Sequence, residues 1–184
     1  LPVRGLQVYA GSQNLQVERL IEAQRATLAL LRRLLPLLPA VPEILNIGGG
    51  LGIPYFPGET ELELAPLGVA LGAALADLQA DLGLARTRIV MELGRYLVGD
   101  AGVYVCEVID RKVSRGETFL VVDGGLHQHL AASGNLGQVI RKNYPLVHAG
   151  RVAGGPRERV TVVGPLCTPL DVLAQGLEVG RAEV

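Results

Sequence analysis

Three consecutive glycines follow an apolar, strand-like run at residues 44–47, within the segment NIGGGLGIP of residues 46–54. Glycine loses more backbone entropy on folding than any other residue, so a glycine triplet needs a reason. One reason is that another group approaches the backbone closely, and exposed N–H groups then bind an anion such as a phosphate. The other reason is a tight turn between a strand and a helix. On this segment alone both interpretations stay open.

Two further strand-like runs end in residues that could do chemistry. The run at residues 6–10 contains Tyr9 and leads into Ser12, and the run at residues 88–93 contains Glu92 and is followed by Arg95. Phenol, hydroxyl, carboxylate and guanidinium groups bind phosphates or move protons. Because the carboxyl ends of parallel strands meet at one edge of a sheet, we expect these side chains to lie near the glycines. The presence of such residues at the ends of all three strand-like runs favours a binding site over a plain turn.

The segments between these runs are predicted to be helices. Apolar residues recur at helical spacing over residues 20–35 and again over residues 64–82, and Gly83 is expected to end the second helix. Ser12 and Asn14 are N-cap candidates for the first helix. Repeated strand–helix units indicate parallel strands with right-handed crossovers, in an open doubly wound sheet or in part of a barrel.

After residue 100 the apolar residues alternate instead. The alternation from Val103 to Val113 predicts a half-buried strand, and further strands are expected at residues 119–122 and 160–163. Turns are expected at residues 114–116 and 153–156. A β-rich unit therefore follows the α/β part, and the boundary is expected near residues 97–102.

The composition excludes several classes of function. The chain has 184 residues, 49% of them hydrophobic, and a formal net charge of −1 without a basic stripe, which argues against a nucleic-acid partner. No apolar run is long enough to cross a membrane, and the first residues lack the layout of a signal peptide, so the cytoplasm is expected. The chain lacks a starting Met and is expected to be a piece of a longer one. Cys106 and Cys167 lack metal-ligand spacing, and neither they nor His127 and His129 predict a metal site.

Five segments together resemble one family in order and spacing: VYAGSQ, NIGGGLGIP, ELGRYLV, VVDGGLHQHLAASGNLGQVIRKNYP and GPLCTPLDVL. It is the pyridoxal-phosphate-dependent ornithine/diaminopimelate/arginine decarboxylase group, with the alanine-racemase-like fold. The nearest likeness is to the exosortase-associated decarboxylases and to those that act on carrier-protein-bound amino acids. The resemblance implies that residues 1–100 hold the last strands of a cofactor-binding (β/α)8 barrel and that residues 101–184 begin a mainly β domain.

The resemblance also implies pyridoxal 5′-phosphate as the cofactor and a homodimer with shared active sites. The lysine that binds the cofactor in this family would lie upstream, so this chain alone is expected to be inactive. Lys112 and Lys142 lie outside the family's lysine motif. The substrate would be an amino acid, either free or attached to a carrier protein.

Individual roles follow from the matched motifs. Glu92 matches the glutamate that pairs with the ring nitrogen of the cofactor, although Leu93 stands where the family usually has proline. Tyr9 occupies the position of a histidine that stacks on the ring in many relatives; a plain core aromatic is the alternative. The implied cofactor-binding residues are Tyr9, Ser12, Gly48, Gly49, Gly50, Glu92, Gly94 and Arg95.

The second half carries the implied substrate contacts. Cys167 matches the cysteine that reaches the partner subunit's site and protonates the substrate carbon; an inert buried cysteine is the alternative, and Cys106 is expected to be a packing residue. Asp123 and Asp171 match aspartates near the substrate, although either could cap a turn. Thr168 stands where relatives acting on diamino acids usually carry an acidic residue, so we expect a substrate without a distal ammonium group.

The interpretation favoured by these residues is a pyridoxal-phosphate-dependent decarboxylase that removes the α-carboxylate of an amino acid. A diaminopimelate or ornithine decarboxylase is one alternative, and a non-catalytic, decarboxylase-like regulatory binding protein is another. A dinucleotide-binding module is disfavoured, because GGGLGIP breaks the G-x-G-x-x-G spacing.

Overall fold

The computed structural model describes residues 3–134, 141–152 and 154–182. The chain is a mixed α/β protein that divides into two compact units, the first ending at Gly102 and the second beginning at Val103. The division falls close to the point where the hydrophobic pattern of the sequence changes its period. The assignment of the units to two domains of a larger protein stays a prediction.

The first unit contains a parallel three-stranded sheet in the order β1-β2-β3. The strands are β1 (Gly5–Gln7), β2 (Ile44–Gly49) and β3 (Arg88–Glu92). The connections contain helices α1 (Val17–Leu34) and α2 (Leu64–Leu82), and the short helix α3 (Arg95–Val98) follows β3. The expectation of parallel strands alternating with two long helices is therefore confirmed.

The long helices pack on one face of this sheet. Leu45 and Ile47 of β2 are 0% and 1% exposed, and they contact the apolar sides of α1 and α2 in one core cluster that also contains Leu28, Leu31, Leu78 and Leu84. Because side chains alternate along a strand, the residues between them point to the opposite face. That face carries Gln7, Asn46, Val90 and Glu92, so it is largely polar.

The helix ends show one confirmed and one wrong prediction. Gly83 ends α2 in the left-handed conformation with a φ of 64°, as expected. The N-cap of α1 is Gln16, not Ser12 or Asn14, and its side chain makes no capping bond. Asn14 instead accepts a hydrogen bond from the Gln16 N–H at 2.9 Å. The backbone of Asn14 pairs with the loop after β2, which holds it ahead of the helix.

The second unit contains a four-stranded sheet in the order β4-β5-β6-β7. The strands are β4 (Val108–Ser114), β5 (Glu117–Val122), β6 (Arg157–Val163) and β7 (Val172–Gly180); β5 and β6 are parallel, and the two outer pairs are antiparallel. The hairpin between β4 and β5 turns at Arg115 and Gly116, which both have positive φ angles of 51° and 81°. This confirms the turn expected at residues 114–116.

Other expectations for this unit need correction. The predicted strand from Val103 begins only at Val108, and Val103 and Val105 are 89% and 77% exposed. No strand among the described residues pairs with Val103 or Val105, so alternation of apolar residues alone did not place them in the sheet. Part of the turn expected at residues 153–156 lies outside the described residues.

Within the described ranges, no helix combines the length and apolar character that a membrane crossing requires.

An ion pair joins the two strands that flank β5. The Arg111 guanidinium donates to Glu158 at 2.8 Å, and the second oxygen of Glu158 accepts the Ala182 N–H at 3.0 Å. Burial alone would raise the pKa of Glu158, but the bonds from Arg111 and Ala182 more than offset burial and hold that pKa below its usual range. A carboxyl with a lowered folded pKa stabilises the protein above its unfolded pKa, and this stabilisation is lost as the pH falls through the folded value.

We therefore expect Glu158→Gln to lower the free energy of unfolding by about 1–3 kcal/mol near pH 7, because the charge is lost while the amide oxygen can still accept from Ala182. The difference should shrink as the pH falls through the lowered folded pKa of Glu158, because the parent carboxyl then also becomes neutral. Urea unfolding followed by circular dichroism, at pH 7 and at a pH acidic enough to protonate the carboxyl, measures this. Glu117→Gln, at an exposed position of β5, is the control. An equal loss at both pH values would contradict the ionic origin.

Candidate functional site

Polar side chains from three adjacent strands meet at the carboxyl end of the first sheet. The Glu92 carboxylate, which is exposed, accepts a hydrogen bond from Asn46 Nδ2 at 2.8 Å and a longer one from Gln7 Nε2 at 3.4 Å. The parallel register places Gln7 opposite Asn46, and both lie on the same face as Glu92. The structure thus presents a carboxylate that is held by two neutral amides.

Asn46 also connects this carboxylate to the glycine triplet. Its Oδ1 accepts the backbone N–H of Gly48 at 3.0 Å, while its Nδ2 donates to Glu92. Sequence reasoning missed both Asn46 and Gln7. The available signal was their alternation with the apolar residues on either side, which placed them on the face away from the helices.

The glycine triplet passes between the ends of β1 and β3. A Cβ on Gly48 would lie 2.5 Å from the Val8 carbonyl oxygen, and a Cβ on Gly49 would lie 1.8 Å from the Glu92 carbonyl oxygen. Gly48 and Gly50 also have φ angles of 75° and 96°, which side chains rarely tolerate. The group that approaches the glycine backbone is therefore the chain's own neighbouring backbone. Binding of an anion by the triplet stays a prediction.

The loops that follow the three strands are tied together by Gln13. Its side-chain amide exchanges two hydrogen bonds with the backbone N–H and carbonyl of Ile53, and its Oε1 also accepts from Arg95 Nη1 at 3.4 Å. Backbone bonds of 3.0 Å join Asn14 to Gly50 and Gly52. Gln13 was not singled out from the sequence, because its partners lie 40 and 82 positions away.

The remaining residues predicted to bind a cofactor lie at the same strand ends. Arg95 is half-buried at the start of α3, and the described chain leaves open space where a Cβ on the preceding Gly94 would lie. Ser12 is exposed, and Tyr9 is 65% exposed, which does not support the core-aromatic alternative. The edge therefore presents a cation, a carboxylate, a phenol and a hydroxyl.

Asp171 holds the loop that carries Cys167. Its carboxylate is 2% exposed and accepts the backbone N–H groups of Leu126 at 2.7 Å and Leu166 at 2.9 Å. Cys167 is a free, exposed thiol, which does not support the inert-buried alternative. Asp171 is thus engaged with the backbone of its own unit, and this supports a role in positioning the loop.

The other predicted substrate contacts are also bonded within the second unit. Thr168 Oγ1 accepts the Leu170 N–H at 3.3 Å, and Asp123, which is exposed, accepts the Glu107 N–H at 2.8 Å. Cys106 packs against the core of the second unit, as expected of a packing residue. In the part of the chain that the structure describes, no group of three or more His, Cys, Asp or Glu side chains could hold a metal ion.

A cavity of about 520 Å³ opens elsewhere in the second unit, with Arg141 and Arg159 on its wall. None of the residues predicted from the sequence to bind cofactor or substrate lines it. The residues with matching chemistry instead lie at the strand ends and in the Cys167 loop.

Comparison with known proteins identifies related sequences. A family model described as "Pyridoxal-dependent decarboxylase, C-terminal sheet domain" matches residues 8–184. The L-glutamyl-[BtrI acyl-carrier protein] decarboxylase of Niallia circulans is 40% identical over 95% of this chain and 41% of that protein. The diaminopimelate decarboxylase of Campylobacter jejuni is 35% identical over 70% of this chain and 30% of that protein. The chain thus spans less than half the length of these curated relatives.

Solved structures share the fold. The diaminopimelate decarboxylase from M. jannaschii in complex with L-lysine matches with a TM-score of 0.71 and 23% identity, covering 98% of this chain and 39% of that one. The lysine/ornithine decarboxylase from Vibrio vulnificus in complex with cadaverine matches with a TM-score of 0.69 and 23% identity, covering 98% of this chain and 45% of that one.

The close approach at the glycine triplet makes a testable prediction. Gly49→Ala should lower the free energy of unfolding by at least about 2 kcal/mol, because the added methyl group must force β2 and β3 apart. Gly68→Ala is the matched control: the position lies within α2 with open space around it, so the change should stabilise by about 0.5–1 kcal/mol. Urea unfolding measures both. A Gly49→Ala variant as stable as the parent would contradict the packing argument.

Proposed function

The chain belongs to the pyridoxal-dependent ornithine/diaminopimelate/arginine decarboxylases, and on that premise we propose that the whole protein removes the α-carboxylate of an amino acid. Pyridoxal 5′-phosphate is the cofactor of this family. The single observation that carries the proposal is the exposed Glu92 carboxylate, held by two neutral amides at the end of the parallel sheet and followed by Arg95. The first unit would supply the last three strands of a (β/α)8 barrel, and the second would begin the β domain.

The donor groups at the strand ends fit this cofactor. Its phosphate needs a cation and N–H donors, which Arg95 and the exposed backbone of Gly94 can provide. In the loop of Gly48, Gly49 and Gly50, the Gly48 N–H is already bonded to Asn46, so Gly49 and Gly50 would be the donors. Its ring needs a carboxylate beside the nitrogen and a flat surface for stacking, for which Glu92 and the exposed Tyr9 are suited. Ser12 would add a hydroxyl contact.

The chemistry divides between the cofactor and the chain. When bound, pyridoxal 5′-phosphate supplies a conjugated ring that accepts the electron pair released as the carboxylate leaves as CO2. Glu92 would hold a proton at the ring nitrogen, because its negative charge stabilises the protonated form. The Cys167 thiol, which is free and exposed, would then deliver a proton to the carbon that lost the carboxylate, since thiols act as general acids in enzymes. In a homodimer with shared sites, this thiol would act in the partner's site.

The substrate proposal rests on Thr168. A carboxylate at this position would pair with the distal ammonium group of a diamino acid, whereas threonine leaves that group without a partner, and a buried unpaired ammonium is costly. We therefore propose an amino acid without a distal ammonium group, attached to a carrier protein as a thioester. The 40% identical relative that acts on a carrier-bound glutamyl group supports this choice.

Two alternatives remain weaker. A diaminopimelate decarboxylase is supported by the names of the other relatives, but Thr168 argues against it. A non-catalytic binding protein would have no need of Glu92, Arg95 and Cys167 together. The two free thiols are consistent with a reducing compartment, and we place the protein in the cytoplasm as part of the proposal.

In the full-length protein, Glu92→Gln should lower kcat by at least about 100-fold while changing the Kd of the cofactor only a few-fold, because the phosphate contacts remain and a neutral amide cannot hold the ring nitrogen protonated. Released CO2 and cofactor fluorescence measure the two quantities. Glu61→Gln, which alters an exposed carboxylate of the same unit, is the control. A kcat equal to that of the parent would remove Glu92 from this role.

The substrate assay compares ornithine, lysine, arginine and diaminopimelate with carrier-bound aminoacyl thioesters. We expect the full-length protein to prefer a thioester by at least about 100-fold in kcat/KM, since no acidic residue at position 168 pairs with a distal ammonium group. Thr168→Glu should narrow this preference. Efficient turnover of a free diamino acid, with none of the thioesters, would overturn the substrate proposal but leave the decarboxylase proposal intact.

A further inference from the structure

One side chain bridges the two parts of the site that would hold the ring and the phosphate of the cofactor. Asn46 accepts the Gly48 N–H through Oδ1 at 3.0 Å and donates to Glu92 Oε1 through Nδ2 at 2.8 Å. The buried neighbours Leu45 and Ile47 fix the strand on both sides of it. Asn46 therefore has little freedom to move away from either partner.

The two partners together require an asparagine amide in one orientation. A backbone N–H can only donate, and an ionised carboxylate can only accept, so the oxygen must face Gly48 and the nitrogen must face Glu92. Aspartate would keep the first bond but place a second negative charge against Glu92. An apolar residue would lose both bonds. Of these side chains, only asparagine can both accept the Gly48 N–H and donate to the ionised Glu92 carboxylate.

A neutral donor also suits the chemistry at Glu92. A lysine or arginine beside Glu92 would neutralise the negative charge that the ring nitrogen needs, whereas an amide hydrogen bond stabilises the ionised carboxylate without a competing charge. Gln7 adds a second, longer neutral bond to the other oxygen. Each carboxylate oxygen can still accept a further hydrogen bond, so the bonds from Asn46 and Gln7 leave Glu92 able to bind a ring nitrogen.

We propose that Asn46 is a positioning residue: it sets the orientation of the Glu92 carboxylate and couples that orientation to the conformation of the glycine loop. The inference rests on the proposed function, in which Glu92 pairs with the cofactor ring. It adds that the Asn46 side-chain amide determines how well Glu92 pairs with the ring nitrogen of the cofactor.

Asn46→Asp is the principal test in the cofactor-loaded, full-length protein. It keeps an acceptor for Gly48 and places a carboxylate against Glu92, which raises the affinity of the pair for a proton. We expect the acidic midpoint of the cofactor absorbance titration to move upward by about one pH unit or more, and kcat to fall at least about tenfold. The Kd of the cofactor, measured by fluorescence, should stay within a few-fold.

Asn143→Asp is the matched control. Asn143 also makes two hydrogen bonds through its amide, to the backbone of Gln175 in the second unit, so its replacement tests the general effect of losing an amide donor. We expect no shift of the absorbance midpoint in this variant. If Asn46→Asp fails to fold, Gln7→Glu places a like charge beside the other oxygen of Glu92 at an exposed position and should shift the midpoint in the same direction by less.

The double variant Asn46→Asp with Glu92→Gln separates positioning from general damage. With Glu92 replaced, the like-charge contact is gone, so the added Asn46→Asp change should shift the midpoint little beyond Glu92→Gln alone. An unshifted midpoint in Asn46→Asp, or equal shifts with Glu92 present and absent, would overturn the inference alone. A full-length parent that shows no cofactor absorbance would overturn the proposed function and this inference together.

Discussion

The close approach of three backbone segments at the glycine triplet is the constraint on which the arrangement of side chains at the strand ends of the first unit depends. The missing side chains of Gly48 and Gly49 let the end of β2 pass between the carbonyl oxygens of Val8 and Glu92. A methyl group at residue 49 would overlap the Glu92 carbonyl, so Glu92 can occupy its position only because residue 49 is glycine. The glycines therefore determine where the carboxylate lies, whatever else their N–H groups bind.

Neutral side-chain amides then connect the segments that the glycines bring together. Asn46 joins the glycine loop to Glu92, and Gln13 joins the loop after β1 to Ile53 and Arg95. Amides suit this purpose because each offers both a donor and an acceptor without adding charge. The two charged groups thus stay available, and their positions are coupled through hydrogen bonds that cross between strands.

The second unit uses a charged group for a similar purpose. The buried carboxylate of Asp171 accepts backbone N–H groups from Leu126 and Leu166, so the loop around Cys167 is held by one side chain. Gly125 and Gly164 allow this approach, since a Cβ at either position would lie within 2.6 Å of a carboxylate oxygen. A loop between two strands is otherwise more mobile than the sheet, and such a bonded carboxylate restricts the position of the thiol.

Local patterns in the sequence determined the regular elements: the apolar periodicity predicted α1 and α2, Gly83 ended α2, and residues 114–116 predicted the first hairpin. They also marked Glu92, Arg95 and Cys167, because these residues lie in recognisable segments. The roles of Asn46, Gln7 and Gln13 required the tertiary structure, since their partners are set by the register between strands and lie far away along the chain. The same holds for the N-cap at Gln16 and for Val103 and Val105, where pairing between strands and loops overrides the local pattern. A sequence specifies which face a side chain takes on a strand, but only the packed sheet decides which distant group it meets.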